Sequence, residues 1–282
     1  MGRGKMLQIP VLRNLYRCNK YGKIVQNNTS KGKNIRFFPI LLAVAATGIL
    51  LSLSPILPHL TIAQTTSTWG DGFVTPYTMT NDGTLSPNGK WLDVYGGYGL
   101  KGVTIQNNNG FFFEYPKAST SSGESHATLT TSTTSFKDFQ MTLYMKTVKQ
   151  LRQNSLPNSW ETAWVFWHYT DSYHNYALVL KTSGFQIEKK DNNVRCDCEI
   201  FLRTTSTPTV HLGQWQKLTL RVTNSASATP HIQVLVDGLV AADFVDNSIH
   251  QPNSPQLASG YMGLYDEDSL ANFDDVSVIP LS

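Results

Sequence analysis

From Thr65 to the last residue, Ser282, the chain shows no segment of helical period long enough to convince. It shows instead many short runs in which β-branched and aromatic residues alternate with polar ones. FFFEY (111–115), HATLTT (126–131), FQMTLYMKTV (139–148) and ETAWVFWHYT (161–170) are of this kind, as are YALVLK (176–181), FQIEKK (185–190), WQKLTLRV (215–222) and HIQVLVDG (231–238). Period-two alternation is the pattern of a strand with one face in a core. Asn81-Asp82-Gly83, Asn88-Gly89, Ser183-Gly184 and Asp237-Gly238 separate the runs with residues that tolerate positive φ, as hairpin turns require. A dozen or more such strands exceed what one open sheet holds. Two packed antiparallel sheets, a jelly-roll sandwich over 65–282, resolve that excess. The Ser/Thr-rich stretch 118–135 resembles a linker in composition, but its second half alternates and reads as a strand.

Charge divides the chain in two. The first 63 residues hold nine of the 23 Lys and Arg and none of the 20 Asp and Glu, which leaves the rest with a net charge of −6. An acidic body of this kind is not a nucleic-acid binder, since phosphate affinity needs clustered basic side chains on the folded surface. Residues 37–57, FFPILLAVAATGILLSLSPIL, form an uncharged run of 21, long enough to cross a bilayer core of roughly 30 Å as a helix. We therefore expect a basic segment (1–36), then a hydrophobic helix within 37–63. That helix is either a signal peptide cut near Ala63 or a single transmembrane anchor, and it leaves the sandwich outside the cell or on its surface. Of the three cysteines, Cys18 falls in the leader, while Cys196 and Cys198 form a Cys-Asp-Cys pair suited to a local disulfide or to no special role.

Gly213-Gln214-Trp215 with LTLRV, then IQVLVDGLVAADFVD, then GYMGLYDEDSLANFDDVSV resemble the closing half of concanavalin A-like lectin/glucanase jelly rolls. Within that superfamily the chain is most similar to the 3-keto-disaccharide hydrolase-like family, over about Trp160–Val278 and more weakly over Trp69–Val148. The resemblance implies a sandwich handling saccharides, and leaves activity open because this fold hosts binding modules and enzymes alike. The E-x-D-x-x-E strand of the glucanases, which sets two carboxylates on one face for a retaining mechanism, is absent. Asp197 and Glu199 in CDCEI come nearest, and the Q-I-H signature of one alginate-lyase family is also missing.

Seven aromatic residues crowd positions 160–176, WETAWVFWHYTDSYHNY, against an average of 11%. Aromatic faces suit the C–H faces of sugars, with polar neighbours for the hydroxyls. The expected ligand set is Trp164, Trp167, Tyr169, Tyr173, His174 and Lys149; a core-filling role competes for the strand itself. Alternation places Trp164, Phe166 and His168 on one face and Val165, Trp167 and Tyr169 on the other. Candidate catalytic groups are His126, Arg152, Glu161, His168 and Tyr173, a lyase-like set in which Arg152 would neutralise a uronate and His or Tyr would take a proton. By resemblance, Asp71 and Asp275 are expected to help hold a structural Ca²⁺, which requires six to eight oxygens. The leading expectation is a saccharide-binding module. A glycoside hydrolase or polysaccharide lyase is the alternative, and a structural surface module a third.

Overall fold

The computed structural model describes residues 68–191, 199–224, 229–247 and 257–281. The hydrophobic segment 37–57 and the Cys196–Cys198 pair lie outside them.

The alternating runs become sixteen strands. β1 (Trp69–Asp71), β2 (Tyr77–Met79), β3 (Trp91–Tyr95), β4 (Leu100–Gln106) and β5 (Asn109–Tyr115) come first. β6 (Ala127–Phe136) and β7 (Phe139–Gln150) follow, then β8 (Ala163–Asp171), β9 (His174–Lys181), β10 (Gly184–Asp191) and β11 (Ile200–Thr205). The last are β12 (Gln216–Asn224), β13 (Pro230–Val236), β14 (Leu239–Val245), β15 (Gly260–Glu267) and β16 (Ser269–Pro280). They form two sheets whose strands pair antiparallel. One runs β14-β13-β12-β7-β16-β5-β4-β2, with β1 added on β16; the other runs β11-β10-β9-β8-β15-β6-β3. The second half of the Ser/Thr-rich stretch is indeed a strand, β6, paired between β15 and β3.

The main core lies between the sheets. Phe139, Met141, Leu143 and Met145 of β7, with Leu218, Leu220 and Val222 of the neighbouring β12, share one buried cluster with Ala163, Val165 and Trp167 of β8 from the other sheet. Truncating any one of the larger of these to alanine is worth about 2–5 kcal/mol, because transfer and cavity terms add. The seven-stranded sheet carries a second apolar layer on its outer face: Leu129, Trp164, Phe166, Tyr169, Ala177, Val179 and Tyr265. Both faces of β8 are thus buried, which is why its sequence is so uniformly aromatic.

Strict alternation fails at one point of β8. The register against β9 shifts between Trp167 and Asp171, and His168 takes a left-handed φ of 48°. The opposing β15 is accommodated by Gly260, whose missing Cβ would lie 2.4 Å from the His168 carbonyl carbon. This bulge inserts one residue and flips the side-chain parity that follows. Tyr169 therefore joins Trp164 and Phe166 on the outer face, and His168 turns inward against Phe139 and Tyr176. The expected faces of His168 and Tyr169 are corrected accordingly.

Candidate active groove on the outer sheet face

Three cavities sit side by side on the outer face of the seven-stranded sheet and share walls. The first, about 640 Å³, is lined by Asn81, Asp82, Tyr95, Tyr98, Ser125 and His126 among others. The middle one, about 80 Å³, adjoins it through Tyr95 and is lined by Trp164, Phe166, Tyr265, Glu188, Glu199 and Glu267. The third, about 420 Å³, adjoins the middle one through Tyr169 and Ser172 and is walled by Leu85, Leu92, Val94 and Tyr261. Together they make a groove with two wide lobes and a narrow waist.

The waist is where the chemistry gathers. Its floor is aromatic: the Tyr265 ring stacks on Phe166 at 4.8 Å and lies 5.0 Å from Trp164, whose Nε1–H donates to the Trp160 carbonyl at 2.8 Å. Above that floor stand carboxylates from three different elements. Glu188 comes from β10, Glu267 from the end of β15, and Glu199 from just before β11. Glu267 accepts hydrogen bonds from the Ser125 hydroxyl at 2.7 Å and the Tyr265 hydroxyl at 2.9 Å. Glu199 is exposed and pairs with Lys190 at 3.3 Å.

Glu188 is different: it is 5% exposed, and no side chain among the described residues donates a hydrogen bond to its carboxyl. Burial, reinforced by the charge of Glu199, pushes its carboxyl up to about 8. Glu267 is also raised, chiefly by burial. Near neutral pH Glu188 therefore holds a proton that an ordinary carboxyl would have released. That is what general acid chemistry needs, produced by environment rather than by residue type.

The lobes differ in character. In the first, the Tyr98 side chain is 84% exposed, held out by a left-handed φ of 59° and set edge-on to His126 at 5.7 Å between centroids. His126 in turn lies 3.3 Å from the Ser119 hydroxyl and 3.3 Å from Glu124. The third lobe is mostly apolar. Its rim carries Asp171, whose carboxylate contacts His174 Nδ1 at 2.9 Å and caps the Tyr173 N–H at 2.7 Å.

Of the residues singled out from the sequence, Trp164, Tyr169 and His126 line the groove. The others do not. Trp167 is fully buried between the sheets, stacked on Tyr176 at 5.2 Å. Both nitrogens of His168 lie against main-chain carbonyls, Leu257 at 2.6 Å and Lys137 at 2.9 Å. Burial holds its pKa below the usual imidazole value.

Arg152 is likewise buried. It donates to Glu161 at 2.6 Å, to Asp268 at 3.0 Å and to the carbonyls of Ser121 and Glu124. Glu161 is spent on Arg152 and on the Asn158 amide. Lys149 belongs to β7 of the other sheet, and Tyr173 and His174 sit on the β8–β9 hairpin without lining a cavity. The expected lyase-like set of Arg152 with His126 and His168 is thus not assembled, because its arginine and one of its histidines are structural.

Glu188 and Glu267 were missed because each sits at an outward strand position that reads as ordinary solvated charge. Only the neighbouring strands and the loop at Ser125 turn those positions into a waist.

Asp71 pairs in register with Val276, next to Asp275, and a Cβ on Gly72 would lie 3.7 Å from Asp275 Oδ1. Asp71, however, is committed to protein donors, the Phe73 N–H at 2.9 Å, the Asn88 amide at 2.8 Å and Trp91 Nε1 at 2.9 Å. The Lys90 ammonium donates to the Gly70 carbonyl beside it. Among the described residues no group of three or more His, Cys, Asp or Glu is placed to hold a metal. The oxygens here do not fit a Ca²⁺, which needs a nearly complete shell of free ones.

No curated protein matches the chain. Among solved structures it is similar to the carbohydrate-binding module CBM66 from Bacillus subtilis, at 13% identity and a TM-score of 0.47, over 67% of this chain and 95% of that one. It is also similar to an endo-β-1,4-glucuronan lyase from the fungus Trichoderma reesei, at 11% identity and a TM-score of 0.46, over 73% and 95% of the two chains. A prokaryotic β-1,3-1,4-glucanase from a mouse hindgut metagenome gives 12% identity and a TM-score of 0.46, over 76% and 100%. The profile of one domain family matches residues 78–279, nearly the whole sandwich. With that match, and the all-β two-sheet architecture it covers, the chain belongs to the 3-keto-alpha-glucoside-1,2-lyase-like domain family.

Proposed function

We propose that the protein is an exported carbohydrate-active domain that holds a saccharide in the three-lobed groove, with Glu188 as proton donor to a glycosidic oxygen at the waist. The observation that carries this reading is Glu188 itself, a buried carboxyl to which no described side chain donates a hydrogen bond, raised to about 8 and opening onto the groove. General acid catalysis is most efficient when the acid's pKa lies near the working pH. Glu199, paired with Lys190, stands beside Glu188, and Glu267 is positioned by Ser125 and Tyr265. The family's description as glucoside-lyase-like agrees with a saccharide ligand. Export rests on the charge split and the apolar run 37–57.

A binding-only module is the second reading, favoured by the exposed Tyr98 ring in the first lobe, a ready platform for a sugar face. Reducing-end release from a panel of oligosaccharides, measured beside calorimetric binding, separates the two. We expect Glu188→Gln to keep binding and lose turnover by about a hundredfold or more. Unchanged turnover in that variant would remove Glu188 from the chemistry. Binding without turnover by the wild type would leave a recognition module.

A further inference from the structure

Resting on the reading that the groove binds saccharide, we infer that its ligand is a chain of at least two sugar units that carries no carboxylates. At least one unit lies in each wide lobe and a glycosidic linkage crosses the waist.

Shape gives the length. The outer lobes, at about 640 and 420 Å³, fall in the range of roughly 300–1,000 Å³ usual for ligand pockets. The waist, at about 80 Å³, has space for only a few waters at about 30 Å³ each. A site built for one terminal sugar would concentrate its volume in one dead-end pocket beside the acid. Here the two wide lobes each open on the waist, one through Tyr95 and the other through Tyr169 and Ser172, so a ligand that bridges the waist occupies both lobes. The lobes also differ in what they offer, an exposed phenol ring and polar side chains in the first and an apolar wall in the third. A chain lying across both meets two distinct subsites.

Charge gives the class. Asp82 lines the first lobe, Glu199 and Glu267 the waist beside the protonated Glu188, and Asp171 the other wide lobe. Against them the described lining offers one lysine, Lys190, already paired with Glu199, and the imidazole of His126. A uronate would set its carboxylate against the acidic waist, and like charges brought together at a binding surface act against the wrong partner. The side chain best shaped to grip a carboxylate, Arg152, is buried and fully bonded elsewhere. Uncharged or amine-bearing sugars meet no such penalty, and their hydroxyls can hydrogen-bond the carboxyls that line the waist.

The test is calorimetric binding by the full chain of neutral gluco-oligosaccharides of one to six units. Glucosamine and galacturonate oligomers of matched length serve as comparators, all at low and high salt. We expect affinity to rise by about tenfold or more from one unit to three or four, about 1.4 kcal/mol, and then to level off. Galacturonate oligomers should bind about tenfold more weakly than neutral ones at low salt, with the gap narrowing as salt screens the field. Glu199→Gln, an exposed and structurally mild change checked by its melting temperature, should narrow that gap without added salt. Equal affinity for the monosaccharide and the tetramer, or for uronate and neutral chains, overturns this inference while leaving saccharide binding intact. Failure of every saccharide to bind overturns the underlying reading and this inference with it.

Discussion

A carboxyl or ring in this chain acquires its role from what surrounds it. Trp164 and Trp167, three residues apart on one strand, end in different worlds: one lines the groove and the other stacks on Tyr176 in the interior. Glu161 and Glu188 diverge in the same way. The first neutralises a buried arginine, while burial leaves the second holding its proton. Tyr98 is the simplest residue to test, being solvent-facing and free of core contacts. We expect Tyr98→Ala to weaken saccharide binding by about tenfold, a loss in the range of about 1–1.5 kcal/mol for one removed aromatic contact. Its melting temperature should stay within a degree or two of wild type. Calorimetric titration beside thermal melting checks both parts, and unchanged affinity would take the first lobe out of the ligand path.

At the scale of elements, two joints hold the groove in register. One is the His168 bulge, which returns Tyr169 to the outer face. The other is the ion cluster in which Arg152, at the end of β7, bonds Glu161 before β8 and Asp268 between β15 and β16. Asp268 also receives the Ser119 and Ser125 hydroxyls, so the loop that places Ser125 on Glu267 hangs from the same cluster. Removing one member of a buried ion cluster strands the charges of the others. Arg152→Met should therefore cost about 3–5 kcal/mol in chemical denaturation. A cost below about 1 kcal/mol would mean that the cluster is solvated in solution.

The joint at the N-terminal strand makes the opposite kind of prediction. With Asp71 bonded to Trp91 and Asn88, and Lys90 on the Gly70 carbonyl, adding a chelator should leave the melting temperature of the full chain unchanged. A chelator-induced drop that Asp275→Ala abolishes would reinstate a Ca²⁺ at this place.

For the molecule as a whole, the sandwich carries an internal polar pocket whose proton count sets its pH response. Lys101 bridges Asp93 and the Leu129 carbonyl, and Glu114 beside it is pushed up to about 8 by burial, against the favourable charge of Lys101. Asp266, fully buried nearby, is raised as well. Between the ordinary carboxyl value of 4.5 and about 8, folded Glu114 keeps a proton that the unfolded chain has released. Raising the pH through that window therefore favours unfolding, and the stabilisation, complete below 4.5, is lost as pH passes 8. Glu114→Gln keeps the shape and removes the titration. We expect the fall in melting temperature between pH 5 and 8.5 to be smaller in Glu114→Gln than in wild type by several degrees, since a shift from 4.5 to about 8 is worth a few kcal/mol across that range. Calorimetric scans of both proteins across that range decide it, and parallel curves would mean that Glu114 is ionised in the fold.

Alternation and turn chemistry are local, and they were enough to read the all-β class, most of the strands and the sandwich from the sequence. The charge split and the 21-residue apolar run, also local, set the expectation of export. The aromatic density of 160–176 pointed to the right strand, and within it Trp164 and Tyr169 do line the groove. The gathering of carboxyls at the waist was beyond local reading for a physical reason. Glu188, Glu199 and Glu267 come from three elements spread over eighty residues and meet only when β10, β9, β8 and β15 lie side by side. The bulge that sends His168 inward depends on the glycine opposite it, and the burial of Arg152 depends on Asp268 more than a hundred residues away. What neighbouring residues decide, strand or turn and inside or outside, was legible in the sequence. Which side chains share one low-dielectric niche, and hence which carboxyl keeps its proton, was decided by the tertiary structure, because desolvation and charge coupling act through space.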